Sequence, residues 1–173
     1  ILNYYKIYIF IMSNIRQMYK TDSNIINGLL NRAFGPGRFA RSVYRLREKS
    51  GYHPEFSYVY ELKGKIVASI SYSVTSINNE IQGLLLGPLA VEPQYKGKGY
   101  GVALVEKSIK AIIADSNYDF ILVVGDYDYY ERFGFKKTKE PFNFYGPVNK
   151  SKVLTLDINQ KLEVSNYTIM EFK

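Results

Sequence analysis

The strongest constraint on this chain is a strand, a glycine-rich turn and a helix written in immediate succession over residues 81–115. Ile81 to Val91 is apolar and extended in character. The segment Gly97-Lys98-Gly99-Tyr100-Gly101 reads as a turn. From about Gly99 to Asp115, Val102, Val105, Ile109 and Ile112 then recur at helical spacing, with Glu106, Lys107 and Lys110 on the wet face. The strand is broken by Gly87-Pro88, and proline has no N–H to give a ladder, so a central strand bulges or splays there.

The flanking segments supply the other elements. Ile15 to Tyr19 alternates as a short first strand, and Thr21-Asp22-Ser23 offers helix N-caps. Ile25, Ile26, Leu29, Leu30 and Ala33 form the buried stripe of a helix over 24–34, stopped by Gly35-Pro36-Gly37. A second helix over 38–49 sets Phe39, Val43, Tyr44 and Leu46 among arginines and lysines, with Gly51 as its C-cap. Phe56 to Leu62 and Ile66 to Ile77 are strands joined by the hairpin turn Lys63-Gly64-Lys65, and Asn78-Asn79 turns the chain again. Phe120 to Val124 is an apolar run suited to a strand buried on both faces. Asp128 caps a short helix through Phe133, ended by Gly134, and strands are expected at Phe135–Thr138, Val153–Ile158 and Tyr167–Phe172. This order is neither a βαβ repeat nor all-β, and predicts an α/β domain on one mixed sheet with helices on both faces.

Composition removes several chemistries. The 173 residues suit one domain and contain no cysteine, which excludes disulfides, thiolate metal sites and a cysteine nucleophile. His53 is the only histidine, no G-x-S-x-G accompanies it, and Gly51-Tyr52-His53-Pro54 reads as a loop. The net charge of +7, from 23 basic and 16 acidic residues, favours an anionic partner without choosing among nucleic acid, membrane surface and phosphate-bearing cofactor. Ile1 to Ile11 is apolar and aromatic but too short to span a bilayer, and it lacks the flanks of a signal peptide. It is expected to be an upstream extension, with an extra edge strand as the alternative, which sets residues 1–14 apart from a single domain over 15–173. No membrane association and a cytoplasmic location are expected.

A glycine-rich turn opening a helix is a phosphate site, because the first amide N–H groups lack partners and glycine lets the backbone approach an anion. Lys96 and Lys98 add charge. G-x-x-x-x-G-K-[ST] is absent, and a G-x-G-x-x-G reading fails at Val102. Gln94, Gly97 and Gly99 instead fit Q-x-x-G-x-G, which resembles the pyrophosphate loop of the GNAT superfamily of N-acetyltransferases. Tyr130-Glu131-Arg132-Phe133-Gly134-Phe135 resembles the Y-x-x-x-G-F segment that closes the GNAT core. The whole stretch from Leu86-Gly87-Pro88-Leu89-Ala90-Val91 to Gly125-Asp126 and Tyr129-Tyr130 is similar to a bacterial branch of predicted N-acetyltransferases, as are residues 32–37 and 44–47. The resemblance spans about Ile15 to Ile158.

The resemblance implies a GNAT-like acyl-CoA N-acyltransferase fold that moves acetyl from acetyl-CoA to an amine by direct attack, without a metal. It implies that main-chain groups of Leu89, Ala90 and Val91 pair with pantetheine, and that amides of Gln94, Tyr95, Lys96, Gly97, Lys98, Gly99, Tyr100 and Gly101 hold the pyrophosphate. It implies Tyr130 as the acid protonating the thiolate, with Tyr129 as competitor. Asp126 stands where many members carry an asparagine that touches the pantetheine arm, and the resemblance implies that it takes part of that role as a departure from the family pattern. Glu80, Glu92 and Asp126 are open as base, and water can serve instead. The acceptor is an amine of a small molecule or peptide, and a homodimer is among the open oligomeric states. Two other readings remain: a non-catalytic acyl-CoA-binding regulatory module, and a nucleic-acid binder prompted by the charge, for which no RNA- or DNA-binding signature is present.

Overall fold

A computed structural model describes residues 13–37, 51–77, 80–138, 148–162 and 170–171. The strands are β1 (Ser13–Gln17), β2 (Tyr58–Leu62), β3 (Lys65–Ile77), β4 (Ile81–Val91), β5 (Phe120–Val124), β6 (Lys136–Lys137), β7 (Val153–Asp157) and β8 (Met170–Glu171). They form one mixed sheet in the order β1-β2-β3-β4-β5-β7-β6, with β8 paired to β3. Every pairing is antiparallel except β4 with β5. The helices are α1 (Ser23–Phe34), α2 (Tyr100–Asp115) and α3 (Tyr127–Tyr130).

Strand alternation sorts the core onto two faces. Tyr58, Ile70, Tyr72, Leu86, Leu104, Val105, Ile112 and Val123 are buried together beneath α2. Ile26, Leu29 and Leu30 of α1 pack with Val59, Ile66 and Ala90 on the other face. The β2–β3 hairpin turns on Lys63 (φ 51°) and Gly64 (φ 73°), both left-handed, the backbone that suits the twist of a two-residue turn. In the parallel pair, Gly83 faces Phe120, and a Cβ at 83 would lie 2.4 Å from that ring. Gly83→Ala is expected to destabilise the fold by ~3 kcal/mol through overpacking. A wild-type urea midpoint for the variant would refute this packing.

Several local expectations are corrected. The first strand is Ser13–Gln17; the Met18 N–H still bonds the Ser57 carbonyl in register at 2.8 Å, and the chain has left the ladder by Tyr19, whose N–H turns to the Asp22 carboxylate. Asp22 does not cap α1 with its side chain. Its carboxylate accepts the Tyr19 N–H at 2.8 Å and both terminal nitrogens of Arg16 at 2.7 and 3.0 Å. Ile25 is 53% exposed, since Ile26, Leu29 and Leu30 suffice to cover the sheet. On α2 the buried face is Gly101, Leu104, Val105, Ser108, Ile109 and Ile112, and Val102 is only half-buried. The N-cap of α3 is Asp126, and Asp128 lies inside its first turn. The expected helix over 38–49 and the turn at Asn78-Asn79 lie outside the described residues, as does the chain before Ser13.

The Arg16 guanidinium holds the Asp22 carboxyl below the usual carboxylate range. The folded value is lower than the unfolded one, so this stabilisation is full above the unfolded value and fades as pH falls through the folded one. The stability difference between wild type and Asp22→Asn should stay constant above about pH 5 and shrink below about pH 4. Urea melts across pH 2–7 check this, and a pH-independent difference would refute it.

Candidate functional site

The site begins where β4 parts from β5. Their parallel pairing covers Gly83↔Phe120 to Leu86↔Val123 and stops there, although β5 continues to Val124 beside β7. Gly87 and Pro88, joined by a cis peptide, come next. On the other side Leu86 pairs with Tyr72 and Leu89 with Ile70, so two residues of β4 stand against Ser71 alone. This is the bulge that Gly87-Pro88 predicts. Beyond it β4 follows β3 and opens a V against β5. The Glu92 N–H donates to the Val67 carbonyl at 2.8 Å. By the alternation of an antiparallel ladder, Ala90 therefore presents its main chain to β3, while Leu89 and Val91 present theirs to the opening.

A glycine turn closes the top of the V. Pro93–Tyr95 forms one 3-10 turn, and the N–H groups of Tyr95, Lys96 and Lys98 are bonded to Glu92, Pro93 and Tyr95 carbonyls within it. Gly97 (φ 76°) and Gly99 (φ 86°) take left-handed backbone, and nothing lies within 4 Å of a Cβ built at either. The Ala103 N–H bonds the Gly99 carbonyl at 3.0 Å as the first bond of α2. That leaves the N–H groups of Tyr100, Gly101 and Val102 ahead of the helical ladder. No side chain caps this end, and no acidic residue occupies its first turn. It is an open, positively polarised helix terminus.

Beside it lies a cleft of about 580 Å³. Ala33 and Phe34 from the end of α1 form one wall, and Leu89 and Val91 form the floor. Tyr95, Lys96, Gly97, Gly99, Tyr100 and Gly101 form the turn side, with Val102, Tyr129 and Arg132 opposite. Gly101 permits a close approach, because a Cβ there would lie 3.1 Å from the Tyr129 hydroxyl and 3.3 Å from Val91.

Eight of the expected residues thus line the cleft, and five do not. Ala90 is buried on the α1 face. Gln94 lines a second cavity behind the turn, with Arg32 and Lys65. Lys98 is exposed outside the lining. Asp126 is exposed and paired with Lys152 at 2.9 Å. Tyr130 is 8% exposed, its ring so close to Gly125 that a Cβ there would sit 2.4 Å away, and its edge on Phe135 at 5.5 Å. Ala33, Phe34, Val102 and Arg132 line it too: residues 32–37 are among the stretches that carry the resemblance, whereas Val102 reads in sequence as a buried helix position and Arg132 as a variable position inside Y-x-x-x-G-F.

Burial pushes both phenols up in pKa, Tyr130 by desolvation first and then by Tyr129 and Asp126 nearby. For Tyr129 desolvation is opposed by the Arg132 charge, whose guanidinium lies 5.3 Å from the ring centre. Both phenols therefore keep their protons at neutral pH. No candidate base stands free at the cleft. Glu92 is engaged by Arg32 through Nε at 2.9 Å. Asp126 is engaged by Lys152. Glu80 precedes the far end of β4, about 30 Å from Leu89 by strand rise. His53 bonds the Tyr118 hydroxyl through Nε2 at 3.0 Å and stacks on Phe56, outside the cleft lining. Among the described residues no three acidic or histidine side chains converge as a metal site, and no helix is long and apolar enough to cross a membrane.

Residues 53–137 match the family described as the acetyltransferase (GNAT) domain. An uncharacterized N-acetyltransferase of Escherichia coli K12, YjhQ, is 32% identical over 120 residues, which cover 68% of this chain and 66% of that protein. The chain therefore spans about two thirds of the length of this curated relative. A second uncharacterized N-acetyltransferase of that strain, YhbS, is 28% identical over 70% of this chain and 72% of its own length. The crystal structure of YhbS from Escherichia coli, a complex with CoA, superposes with a TM-score of 0.75 over 94% of this chain and 90% of that one, at 23% identity.

Proposed function

The chain belongs to the GNAT acetyltransferases, and from that premise we propose that it transfers an acetyl group from acetyl-CoA to the amine of a small molecule or peptide. The observation that carries this is the V between β4 and β5 opening directly onto an uncapped helix terminus. One end offers unpaired strand edge, the other offers unpaired amides. A pantetheine arm and a pyrophosphate need those two things in that order. The CoA bound to YhbS supports the same reading.

The residues present fit this co-substrate. The outward main-chain groups of Leu89 and Val91 pair with the pantetheine amides as an added strand. The open glycines at 97 and 99 and the N–H groups of 100–102 receive the pyrophosphate, with Lys96 beside them. The acceptor nitrogen attacks the thioester carbonyl, a C–N bond forms, and the C–S bond breaks. An outward amide of β4 stabilises the oxyanion. The amine gives up one proton, to water since none of the three candidate carboxylates stands free at the cleft, the thiolate takes one from a phenol, and water returns a proton to the phenolate, so charge and atoms balance. Tyr130 is proposed as that phenol, because its ring packs on Gly125, one residue past the β5 end of the V.

The test is thiol release from acetyl-CoA across a panel of amines and peptide N-termini. Release that depends on an amine supports transfer. Tight acetyl-CoA binding with no release over the whole panel would favour the non-catalytic binding module instead.

A further inference from the structure

The phosphate turn stands between two cavities. Tyr95 lines both the cleft and the second cavity of about 450 Å³ behind it, and Pro93 and Gln94 are exposed. Side-chain packing reaches the turn at Tyr95, whose ring meets that of Tyr100 at 5.8 Å, and leaves its first two residues open. At that open end the turn is anchored by Glu92, the residue before it. The Glu92 N–H is fixed to β3 through Val67, and its carboxylate receives the Arg32 Nε at 2.9 and 3.1 Å as well as Nη2. Arg32 lies in the last turn of α1, immediately before Ala33 and Phe34, which wall the other side of the cleft. One ion pair thus joins the two sides of the cleft mouth.

Gly28 supplies an independent indication. Glycine in a helix interior is disfavoured relative to alanine. Here a Cβ at 28 would lie 3.0 Å from the Arg32 Nη1, so the glycine leaves room for the guanidinium to fold back along α1.

We propose that Arg32 and Glu92 are positioning residues, whose ion pair fixes the turn at 93–99 against the end of α1 and thereby sets the affinity of the cleft for acyl-CoA. The affinity part rests on the acyl-CoA reading above; the positioning part does not. The pair touches neither the outward β4 edge nor the free amides of α2, so its role is in binding geometry and not in the acyl-transfer step.

The experiment compares wild type, Arg32→Gln, Glu92→Gln, Gly28→Val and the double swap Arg32→Glu/Glu92→Arg. Amide hydrogen exchange of the ligand-free protein is read together with acetyl-CoA titration and steady-state kinetics. Each Gln variant should exchange faster over 94–99 alone and bind acetyl-CoA about fivefold more weakly, with kcat at saturation unchanged. Gly28→Val, which keeps both charges, should shift both readouts in the same direction, and the double swap should restore them. Thermal midpoints should stay within about 2 °C, as for an exposed pair. Unchanged exchange in the turn overturns the proposal, whether or not affinity falls, because a purely electrostatic effect would leave the turn's dynamics alone. A fall in kcat at unchanged affinity would also overturn it and return Glu92 to the chemistry. Wild type that fails to bind acetyl-CoA would sink the acyl-CoA reading, while the exchange data would still decide the clamp.

Discussion

Gly99→Glu should abolish acetyl-CoA binding, with the calorimetric titration flat at concentrations where wild type saturates, a loss of at least about 100-fold. Two effects act in the same direction. Gly99 holds φ 86°, where an L-residue costs roughly 1–2 kcal/mol, so the substitution pulls the turn away from its backbone geometry. The new carboxylate stands at the N-terminus of α2, where it satisfies the helix dipole and occupies the position of a phosphate. It also repels the phosphates of an incoming cofactor. Steric overlap contributes nothing, because no atom lies within 4 Å of a Cβ at 99. Gly99→Ala separates the causes, since it carries the backbone penalty without the charge. It should bind acetyl-CoA about tenfold more weakly than wild type and far more tightly than Gly99→Glu. A Gly99→Glu protein that folds and binds acetyl-CoA like wild type would remove the phosphate site from this turn.

That site was legible because its information is local. The bulge of β4 follows from a proline without an N–H at position 88, and the open helix terminus follows from glycines at 97 and 99 with no acidic residue in the first helical turn after them. What escaped depends on which way a strand or side chain faces. Leu89, Ala90 and Val91 are consecutive in sequence, but alternation gives only Leu89 and Val91 to the cleft, and the phase is set by the Glu92–Val67 bond, 25 positions apart in sequence. Phe34 and Arg132 reach the same cleft from opposite ends of the domain, and no spacing rule joins them. The stripe on α1 failed at Ile25 for the same reason: a helix covers a sheet only along its line of contact, and Ile25 is off that line. Asp22 carries the chemistry of an N-cap, yet a nearby arginine competes for the carboxylate and wins with two hydrogen bonds to the carboxylate oxygens.

The two adjacent tyrosines should separate sharply under mutation. Tyr130→Phe should lower kcat by about 10²–10³-fold with KM for acetyl-CoA nearly unchanged, the size expected for removing one general acid. The phenylalanine ring keeps the packing on Gly125 and Phe135, so the fold and the floor of the V persist. Tyr129→Phe removes a hydroxyl that lines the cleft beside Gly101, and should act mainly on KM, by a few-fold. Burial raises both phenols above their ordinary value, so neither loses its proton at neutral pH. The kcat profile should therefore rise as the acceptor amine deprotonates and show no descending limb below about pH 10. The reverse pattern, with kcat collapsing in Tyr129→Phe and intact in Tyr130→Phe, would make the cleft-lining phenol the donor and leave Tyr130 a packed aromatic. Intact kcat in both variants would mean that water protonates the thiolate, and the catalytic share of the chain would reduce to holding amine and thioester together.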